Sequence, residues 1–415
     1  MARSLRTDRA QARHHDRVRR RGVNRPVYWL ARAILQPAIL LWFRVERHGR
    51  GHIPRTGPVI LAANHRSFLD PFVVGVCLRR PVYFVAKQEL FAKRWQGWLL
   101  NALGAFPIRR GESDEEAVET SKAILARGDA LVIFPEGTRI RSGALGSPKR
   151  GVGRLALETG APVVPIAVAG SEHARRGWRI RPVKVRVRCG RPLTYPRLEA
   201  ASPSLAAEVT ARIWPCVELQ WEWLGGLPAM RKTAVVGAGE VGTAMAALLG
   251  RAGLEVQLGC RSLAQADRIA AAGRNPDRLQ HLSLPDSVTP CTVPEIELTG
   301  VDLLVLAVPL SAQPAAIARI GASIGQRTTV LLPVRGGLRA DSELPARYLR
   351  ERSTAAAIAS LGIPAGVAGL LDGDGDVELR CDDADRRRQL AEVLERAALR
   401  VCDEATRAPS FRRVA

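Results

Sequence analysis

Short, apolar, β-branched runs alternate with helical segments along most of the chain, and this alternation restricts its fold more than any other feature. Helical patterns at residues 115–126 and 153–159 lie between such runs. A parallel sheet covered by helices produces this order of elements. The first group of apolar runs comprises residues 59–63, 82–85, 131–134 and 163–168, and a second group begins at 233–236 and includes 303–308. The sequence therefore predicts an α/β fold with two layered domains.

The two groups of runs differ sharply in charge. Before Met230 the chain has 39 Lys and Arg against 18 Asp and Glu, a net charge of +21, whereas the remainder has 23 against 22. A cationic first part and a neutral second part suggest two modules with different partners, and a cationic surface attracts phosphates of anionic lipid or nucleic acid. We predict a basic arm, an α/β domain with its own N-terminal helices, a linker and a second α/β domain: residues 1–25, 26–224, 225–230 and 231–415.

The N-terminal 43 residues suggest contact with a membrane surface. Residues 1–25 are rich in Arg and almost free of apolar side chains, which favours a flexible arm. Residues 28–43 are apolar but are interrupted by Arg32, Gln36 and Pro37, so they resemble an interfacial helix pair broken at Pro37 more than a spanning helix. The alternative is a buried amphipathic helix. All eight Trp precede Met230, in keeping with an interfacial surface.

Several classes of protein and site are disfavoured. The seven Cys are scattered and odd in number, so they predict a reducing compartment and no zinc or other metal site. The basic N-terminus has no cleavage-like site after it and does not resemble a signal peptide. No nucleic-acid motif accompanies the positive charge, so we expect no nucleic-acid partner. We expect a peripheral protein on the cytoplasmic face of the membrane.

His65 and Asp70 form an H-x4-D segment directly after the first apolar run. Asp70-Pro71 is typical of an N-cap followed by Pro at the first helical position, so His65 is expected on the strand-to-helix loop. An imidazole held by a carboxylate keeps one ring nitrogen free, and that nitrogen can take a proton from an alcohol as the alcohol attacks an acyl carbonyl. The alternative is that Asp70 only caps a helix, because this spacing occurs by chance in many proteins.

Three further blocks strengthen the catalytic interpretation. In residues 134–139, Phe-Pro-Glu-Gly-Thr-Arg, Glu136 and Arg139 combine a carboxylate with a guanidinium suited to phosphate. Arg110 follows another predicted strand, and Lys149 adds a cation before a helix. Residues 161–166, Ala-Pro-Val-Val-Pro-Ile, supply an apolar wall.

These four blocks, in this order over residues 25–200, resemble the glycerolipid acyltransferase superfamily, and in particular bacterial 1-acylglycerol-3-phosphate acyltransferases. The resemblance implies that His65 is the general base and Asp70 its orienting partner. It also implies a set of residues for the acceptor phosphate and the acyl chain, to which we add the neighbouring Thr138 and Lys149. The candidate substrate-binding residues are Arg110, Glu136, Gly137, Thr138, Arg139, Lys149 and Pro165.

The resemblance implies acyl transfer from acyl carrier protein or coenzyme A to a lysophospholipid, giving phosphatidic acid, with no cofactor. Two positions depart from the common pattern: Ile140 stands where Ser is frequent, and Arg109 where an acidic residue is frequent. The headgroup of the acceptor, and acylation of another lysolipid, therefore stay open.

A glycine-rich loop opens the second domain. Gly237, Gly239 and Gly242 form G-x-G-x-x-G between a predicted strand and a helix, which is the context of a dinucleotide-binding loop. After the next predicted strand comes Arg261, where an NAD-binding domain has an acidic residue for the ribose hydroxyl. The pattern favours NADP(H) over NAD(H).

The second domain, over residues 231–405, resembles the N-terminal domain of glycerol-3-phosphate dehydrogenases. Arg335 stands where that family has Lys, and the helical domain that carries the family's catalytic Lys does not follow before Ala415. We therefore expect a degenerate domain with possible NADP(H) binding. The alternative is a bifunctional acyltransferase and NADP-dependent glycerol-3-phosphate dehydrogenase.

Overall fold

The computed structural model describes residues 2–108, 114–141, 143–338, 343–364, 366–371 and 376–402. The chain divides into two compact units, Met1–Pro228 and Ala229–Ala415.

The first unit is built on a seven-stranded sheet with the order β1-β9-β6-β2-β5-β3-β4. Neighbouring strands are parallel except β6 and β9, so β1 and β9 run opposite to the other five. The strands are β1 (Glu46–His48), β2 (Val59–Ala63), β3 (Val82–Lys87), β4 (Ala105–Ile108), β5 (Ala130–Ile133), β6 (Val163–Ala169) and β9 (Arg186–Cys189), and the hairpin β7 (Arg175–Arg176) and β8 (Arg179–Ile180) lies apart from the sheet.

Helices cover both faces of this sheet. The side chains of β2 alternate between two cores, with Ile60 and Ala62 in one and Val59, Leu61 and Ala63 in the other. The helices are α1 (Ala2–Arg21), α2 (Arg25–Trp42), α3 (Asp70–Gly75), α4 (Arg94–Ala102), α5 (Glu115–Ala126), α6 (Gly151–Thr159) and α7 (Pro203–Trp223). Side chains of α5, α6 and α7 pack in the first core and those of α3 in the second. The carboxyl ends of β2 and β5 therefore meet at one edge, where loops can assemble a site.

The prediction of a flexible arm at residues 1–25 is wrong, because α1 packs against α4, α5 and β4. Val18 is completely buried, and His15 Nδ1 lies 2.8 Å from Thr120 Oγ1 of α5. Burial lowers the pKa of His15 to about 4. The buried positions Gln11, His15 and Val18 recur at helical spacing and form one face of α1. This buried face is mostly polar, because the helix has few apolar side chains.

The predicted break at Pro37 is also wrong, since α2 continues from Arg25 to Trp42 with Pro37 inside it. Asn24 caps its N-terminus, with Oδ1 accepting the Val27 N–H at 3.3 Å. Tyr28 is buried, whereas Leu30, Ile34 and Leu41 are 66%, 63% and 79% exposed. Within the described part of the chain, every helix is too short or too polar to cross a membrane.

The second unit contains an eight-stranded sheet with the order β14-β11-β10-β15-β16-β17-β18-β19, which is parallel except for the pair β17 and β18. Its elements are β10 (Lys232–Val236), α8 (Glu240–Arg251), β11 (Glu255–Cys260), α9 (Leu263–Ala272), β12 (Arg274–Asn275), β13 (Leu279–Ser283), β14 (Val288–Thr292), β15 (Leu303–Leu306), α10 (Gln313–Ile320), β16 (Thr329–Arg335), α11 (Glu343–Arg352), β17 (Ala357–Ile363), α12 (Ala368–Leu371), β18 (Asp376–Cys381), α13 (Ala384–Arg396) and β19 (Arg400–Cys402). Val235 of β10 joins one core and Ala234 and Val236 the other, so this sheet is also covered on both faces. The predicted α/β class, with a Rossmann-like second unit, is confirmed.

Candidate active site

The loop that carries His65 begins at Asn64, whose side-chain amide takes the place of the backbone N–H and C=O groups of a strand residue in the sheet. The Asn64 amide donates to Val168 O at 3.0 Å, and Asn64 Oδ1 accepts the Val168 N–H at 2.7 Å. The side chain thus continues the ladder between β2 and β6 while the backbone of β2 turns away from it. Residues 65–69 are thereby directed over the carboxyl end of the sheet.

Asp70 holds His65 at the start of α3. One carboxylate oxygen, Oδ2, lies 2.8 Å from His65 Nδ1 and also accepts the backbone N–H groups of Arg66 at 2.6 Å and Ser67 at 2.7 Å. The other oxygen, Oδ1, accepts the Ser171 hydroxyl at 2.6 Å. An ionised carboxylate only accepts hydrogen bonds, so it selects the tautomer with the proton on Nδ1 and leaves the Nε2 lone pair free. Helix α3 begins at Asp70, with Leu69 at the N-cap, so the prediction that Asp70 is the N-cap is wrong. Its carboxylate binds the preceding loop instead.

Phe134 fixes the plane of the imidazole. The two rings stack with centroids 4.2 Å apart and an interplanar angle of 22°, and His65 is only 6% exposed. Phe134 directly follows β5, the neighbour of β2 in the sheet. The imidazole is therefore held by a carboxylate at one nitrogen and by an aromatic face.

Glu136 lies inside the protein and ties two loops together. Its Oε2 accepts the His65 N–H at 2.6 Å, and its Oε1 accepts the Gly146 N–H at 2.9 Å. Burial raises the pKa of the Glu136 carboxyl to about 7, and the two backbone donors oppose that rise. Through these two hydrogen bonds, Glu136 positions the loop of His65.

Arg66 completes the connection between the two loops. Its guanidinium donates to Ile140 O at 3.0 Å and Gly143 O at 2.6 Å, and it stacks over the Trp221 ring at 4.3 Å. In addition, the Ile140 N–H donates to His65 O at 2.8 Å. Residues 65–66 and residues 136–146 are thus joined by backbone and side-chain hydrogen bonds in both directions.

A cleft with a cavity volume of about 310 Å³ adjoins this assembly. Four guanidinium groups and a single carboxylate are among its lining residues, which are Arg66, Ser67, Phe68, Arg139, Arg141, Glu172, Arg175 and Gly177. This excess of cations suits an anionic ligand, and Arg binds phosphate through two parallel hydrogen bonds.

The predicted substrate-binding residues have different positions. Arg139 lines the cleft, and Thr138 is exposed on the same loop. Gly137 has φ +69°, and a Cβ there would lie 3.1 Å from the Lys149 side chain, so Lys149 runs alongside this loop. Pro165 is buried within β6 next to Gly190 and is not among the residues that line this cleft. Arg109 and Arg110 lie outside the described residues.

Sequence reasoning missed several residues that build the site. Asn64 and Phe134 adjoin the recognised motifs and could have been suspected from that adjacency. Ser171 is separated from Asp70 by 101 positions, and Arg175 and Glu172 follow it; only the pairing of β6 with β2 brings these residues to the same edge. No pattern in the sequence indicates that contact.

In the second unit, two glycines of the loop permit close packing within the protein, and the third leaves open space beside the backbone. A Cβ on Gly237, whose φ is +108°, would lie 2.8 Å from Ala307 O, and one on Gly242 would lie 1.8 Å from Gly237 O. Gly239 caps α8 and has open space around it. Backbone N–H groups at a helix N-terminus with such clearance suit a pyrophosphate.

Two charged side chains define the surroundings of this loop. Arg261 is exposed and directly follows β11. Arg335 at the end of β16 forms an ion pair with Glu240, the first residue of α8, with 2.9 Å between Nη2 and Oε2.

Comparisons with known proteins agree with the division into two units. Residues 44–169 match the acyltransferase family model, and residues 232–363 match the model of the NAD-dependent glycerol-3-phosphate dehydrogenase N-terminus. The chloroplast 1-acyl-sn-glycerol-3-phosphate acyltransferase of Arabidopsis thaliana is 29% identical over 147 residues, which is 35% of this chain and 41% of the relative. The chain thus spans about two fifths of the length of the first curated relatives it matches.

A bacterial relative and a solved structure match over a larger share of their own chains. The crystal structure of a 1-acyl-sn-glycerophosphate acyltransferase from Thermotoga maritima is 27% identical with a TM-score of 0.36, covering 44% of this chain and 76% of that one. The 1-acyl-sn-glycerol-3-phosphate acyltransferase of Pseudomonas aeruginosa is 30% identical over 188 residues, covering 44% of this chain and 71% of the relative. By this last match, the chain belongs to the 1-acyl-sn-glycerol-3-phosphate acyltransferase family.

Proposed function

We propose that the first unit transfers an acyl group from a thioester of acyl carrier protein or coenzyme A to the free hydroxyl of 1-acyl-sn-glycerol 3-phosphate, giving phosphatidic acid. The observation that carries this proposal is the His65–Asp70 pair, 2.8 Å apart, beside a cleft lined by arginines. An alcohol bearing a phosphate needs both a base and a cationic site at one place. The names of the curated relatives agree with this substrate.

In the reaction, His65 Nε2 removes the proton from the acceptor hydroxyl as its oxygen attacks the thioester carbonyl. The new C–O bond forms, the C–S bond breaks, and the departing thiolate takes the proton back from the imidazolium. Asp70 stabilises the imidazolium and keeps Nδ1 as the donor. A thiolate is a good leaving group, so positioning and one base are sufficient.

Arg139 and Arg175 are proposed to bind the acceptor phosphate, because both line the cleft. Glu136 is proposed to fix the loop that presents Arg139. Other lysolipids with a phosphate in the same position remain an alternative, and a panel of acceptors distinguishes them.

The central test is His65→Ala, assayed with thioester donor and 1-acyl-sn-glycerol 3-phosphate. We expect a folded protein whose kcat falls by about 10²–10⁴-fold, the usual contribution of a general base. Phe134→Leu is a matched variant that removes the stacking partner but keeps the base. Near-normal turnover by folded His65→Ala would refute the mechanism.

We further propose peripheral attachment through the exposed apolar face of α2. Transfer of one such side chain from water contributes roughly 1.5–3 kcal/mol when fully buried. We therefore expect Leu30, Ile34 and Leu41 changed together to Ser to weaken binding to anionic vesicles by more than about 100-fold. The control is Leu263→Ser with Leu310→Ser, since these leucines are also exposed but lie in the second unit. Equal losses in both variants would contradict the assignment.

For the second unit we propose binding of NADP(H), with Arg261 holding the ribose phosphate. The clearance around Gly239 and the position of Arg261 after β11 support it. When bound, a nicotinamide cofactor can exchange hydride. By calorimetry on the full chain, Arg261→Ala should weaken NADPH binding by about tenfold or more, the loss of one charge-assisted pair, and leave NADH binding unchanged. A parallel loss for both cofactors would refute the role of Arg261.

The bifunctional alternative makes a different prediction. A glycerol-3-phosphate dehydrogenase would oxidise NADPH steadily with dihydroxyacetone phosphate, and Gly239→Asp would abolish that oxidation. Our proposal expects cofactor binding that Gly239→Asp removes, without such turnover.

A further inference from the structure

A second cationic cavity lies at the junction of α1 and α2, formed by other residues than the catalytic cleft. Its volume is about 330 Å³, and three arginines line it: Arg17 and Arg21 from α1, and Arg25 from the start of α2. Trp98 and Asn101 of α4 form the opposite side. We call Arg17, Arg21 and Arg25 together the arginine elbow.

The junction is held in place by hydrogen bonds. Gly22 turns the chain with φ +64°, the Val23 N–H donates to Tyr83 Oη at 3.0 Å, and the Asn24 N–H donates to Ala102 O at 3.1 Å. Arg127 donates to the carbonyl of Val18 at 3.0 Å, near the C-terminus of α1. The negative end of the α1 dipole is thus already compensated, and the elbow arginines are not needed there.

The charges of the elbow are not compensated within the described residues. Arg17, Arg21 and Arg25 form no ion pair or hydrogen bond through their side chains with any part of the chain that the structure describes. The lining residues found there include no carboxylate. The N-terminus of α2, an 18-residue helix, adds positive potential at the same place. Three like charges around one cavity repel each other, so the arrangement favours an anion that binds all three.

The neighbouring side chains indicate the source of the anion. Trp98 on the rim is 45% exposed, and Trp95, one helical turn earlier, is 67% exposed. Exposed Trp near Arg is typical of a surface at the level of lipid headgroups, where the ring is half immersed and the guanidinium meets phosphate. Phosphate is also the anion whose geometry the guanidinium fork fits.

We propose that the arginine elbow binds the phosphate of an anionic bilayer phospholipid that is not the acyl acceptor. The site is independent of the proposed acyl transfer, since it shares no lining residue with the cleft beside His65. It recognises the headgroup phosphate, while the indole of Trp98 lies against the adjoining glycerol and acyl region.

The test measures sedimentation of the full chain with vesicles of phosphatidylglycerol in phosphatidylcholine. Arg17, Arg21 and Arg25 are changed together to Gln, and the control changes Arg13, Arg20 and Arg55, which are exposed and do not line the cavity. Both variants lose three charges, so general attraction falls equally. We expect the elbow variant to bind about tenfold more weakly than the control, because it also loses charge-assisted hydrogen bonds to phosphate.

Circular dichroism and acyl transfer to detergent-dispersed acceptor check that both variants are folded, and we expect no change in either. A second arm titrates inorganic phosphate and follows Trp fluorescence. If the two variants lose vesicle binding equally, the headgroup site is refuted. If the two variants lose vesicle binding equally and only the elbow variant loses binding of inorganic phosphate, the cavity is a site for free phosphate. The lipid assignment is then likewise refuted.

Discussion

Asp70→Asn separates the charge of the carboxylate from its hydrogen-bonding geometry. Oδ2 accepts three donors, from His65, Arg66 and Ser67, so the amide oxygen must take that position. The amide nitrogen then faces Ser171, whose hydroxyl can turn from donor to acceptor. The hydrogen-bond network therefore survives the substitution, and only the negative charge is lost.

The magnitudes follow from these contacts. A hydrogen bond to a charged group contributes about 1.5–3 kcal/mol against about 0.5–1.5 for a neutral one, so three weakened bonds cost roughly 3 kcal/mol. Asp70→Ala leaves buried donors without partners at about 1–3 kcal/mol each, so we expect it to cost more than Asp70→Asn by several kcal/mol and to approach global unfolding.

The assay combines urea unfolding with steady-state acyl transfer. Asp70→Asn should remain folded while kcat falls by about 10²–10⁴-fold, because the imidazolium formed on His65 loses its counter-charge. Ser171→Ala keeps the carboxylate and removes one donor, so its effect on kcat should be much smaller. Wild-type kcat in Asp70→Asn, or equal stability of Asp70→Asn and Asp70→Ala, would refute the reasoning.

Three further outcomes are expected. Burial raises the pKa of Glu136 from 4.5 to about 7, so the contribution of this carboxyl to stability is fully present below pH 4.5 and is lost as the pH rises through 7. Between pH 4.5 and pH 8, the free energy of unfolding of Glu136→Gln should therefore rise by about 3 kcal/mol relative to that of wild type. A difference between the two proteins that does not depend on pH would contradict this. Asn64→Ala leaves one donor and one acceptor of β6 unpaired and should lower the free energy of unfolding by about 2–6 kcal/mol, at about 1–3 kcal/mol for each group. Chemical denaturation measures this loss, and a loss below about 1 kcal/mol would contradict the role of Asn64 in the sheet. Gly153→Ala places a Cβ 2.1 Å from Ala206 O between α6 and α7, so its free energy of unfolding should fall by about 1–3 kcal/mol or more. Gly151→Ala, with open space around it, should not lower stability, and similar losses at both positions would contradict the packing argument.

The sequence predicts the fold class of both units because hydrophobic periodicity reports burial, and burial of β2 and β10 on both faces yields continuous apolar runs. It does not predict the packing of α1, since the buried positions of that helix include Gln11 and His15, which no apolar pattern marks. Tertiary hydrogen bonds, such as that from His15 to Thr120, determine its position.

The candidate site divides along the same line. His65 and Asp70 are five residues apart, so local geometry alone brings them together and the sequence predicts the pair. Ser171 reaches Asp70 only because β6 lies beside β2, and strand order cannot be read from one sequence. Glu136 was expected to face the ligand because a carboxylate in a motif suggests chemistry; its contacts with two backbone N–H groups depend on a loop conformation that the motif does not specify.

The reciprocal hydrogen bonds between residues 65–66 and residues 136–146 make the two loops a single cooperative unit. His65 cannot leave its position without releasing Glu136 and Ile140, and neither Ile140 nor Gly143 can move away without releasing Arg66. Amide protons in both loops should therefore exchange with solvent in one opening event of common free energy. An anion that stabilises the loop of Arg139 would slow that event and so keep the base in position: acceptor binding and the residence time of His65 in its working geometry are thermodynamically linked.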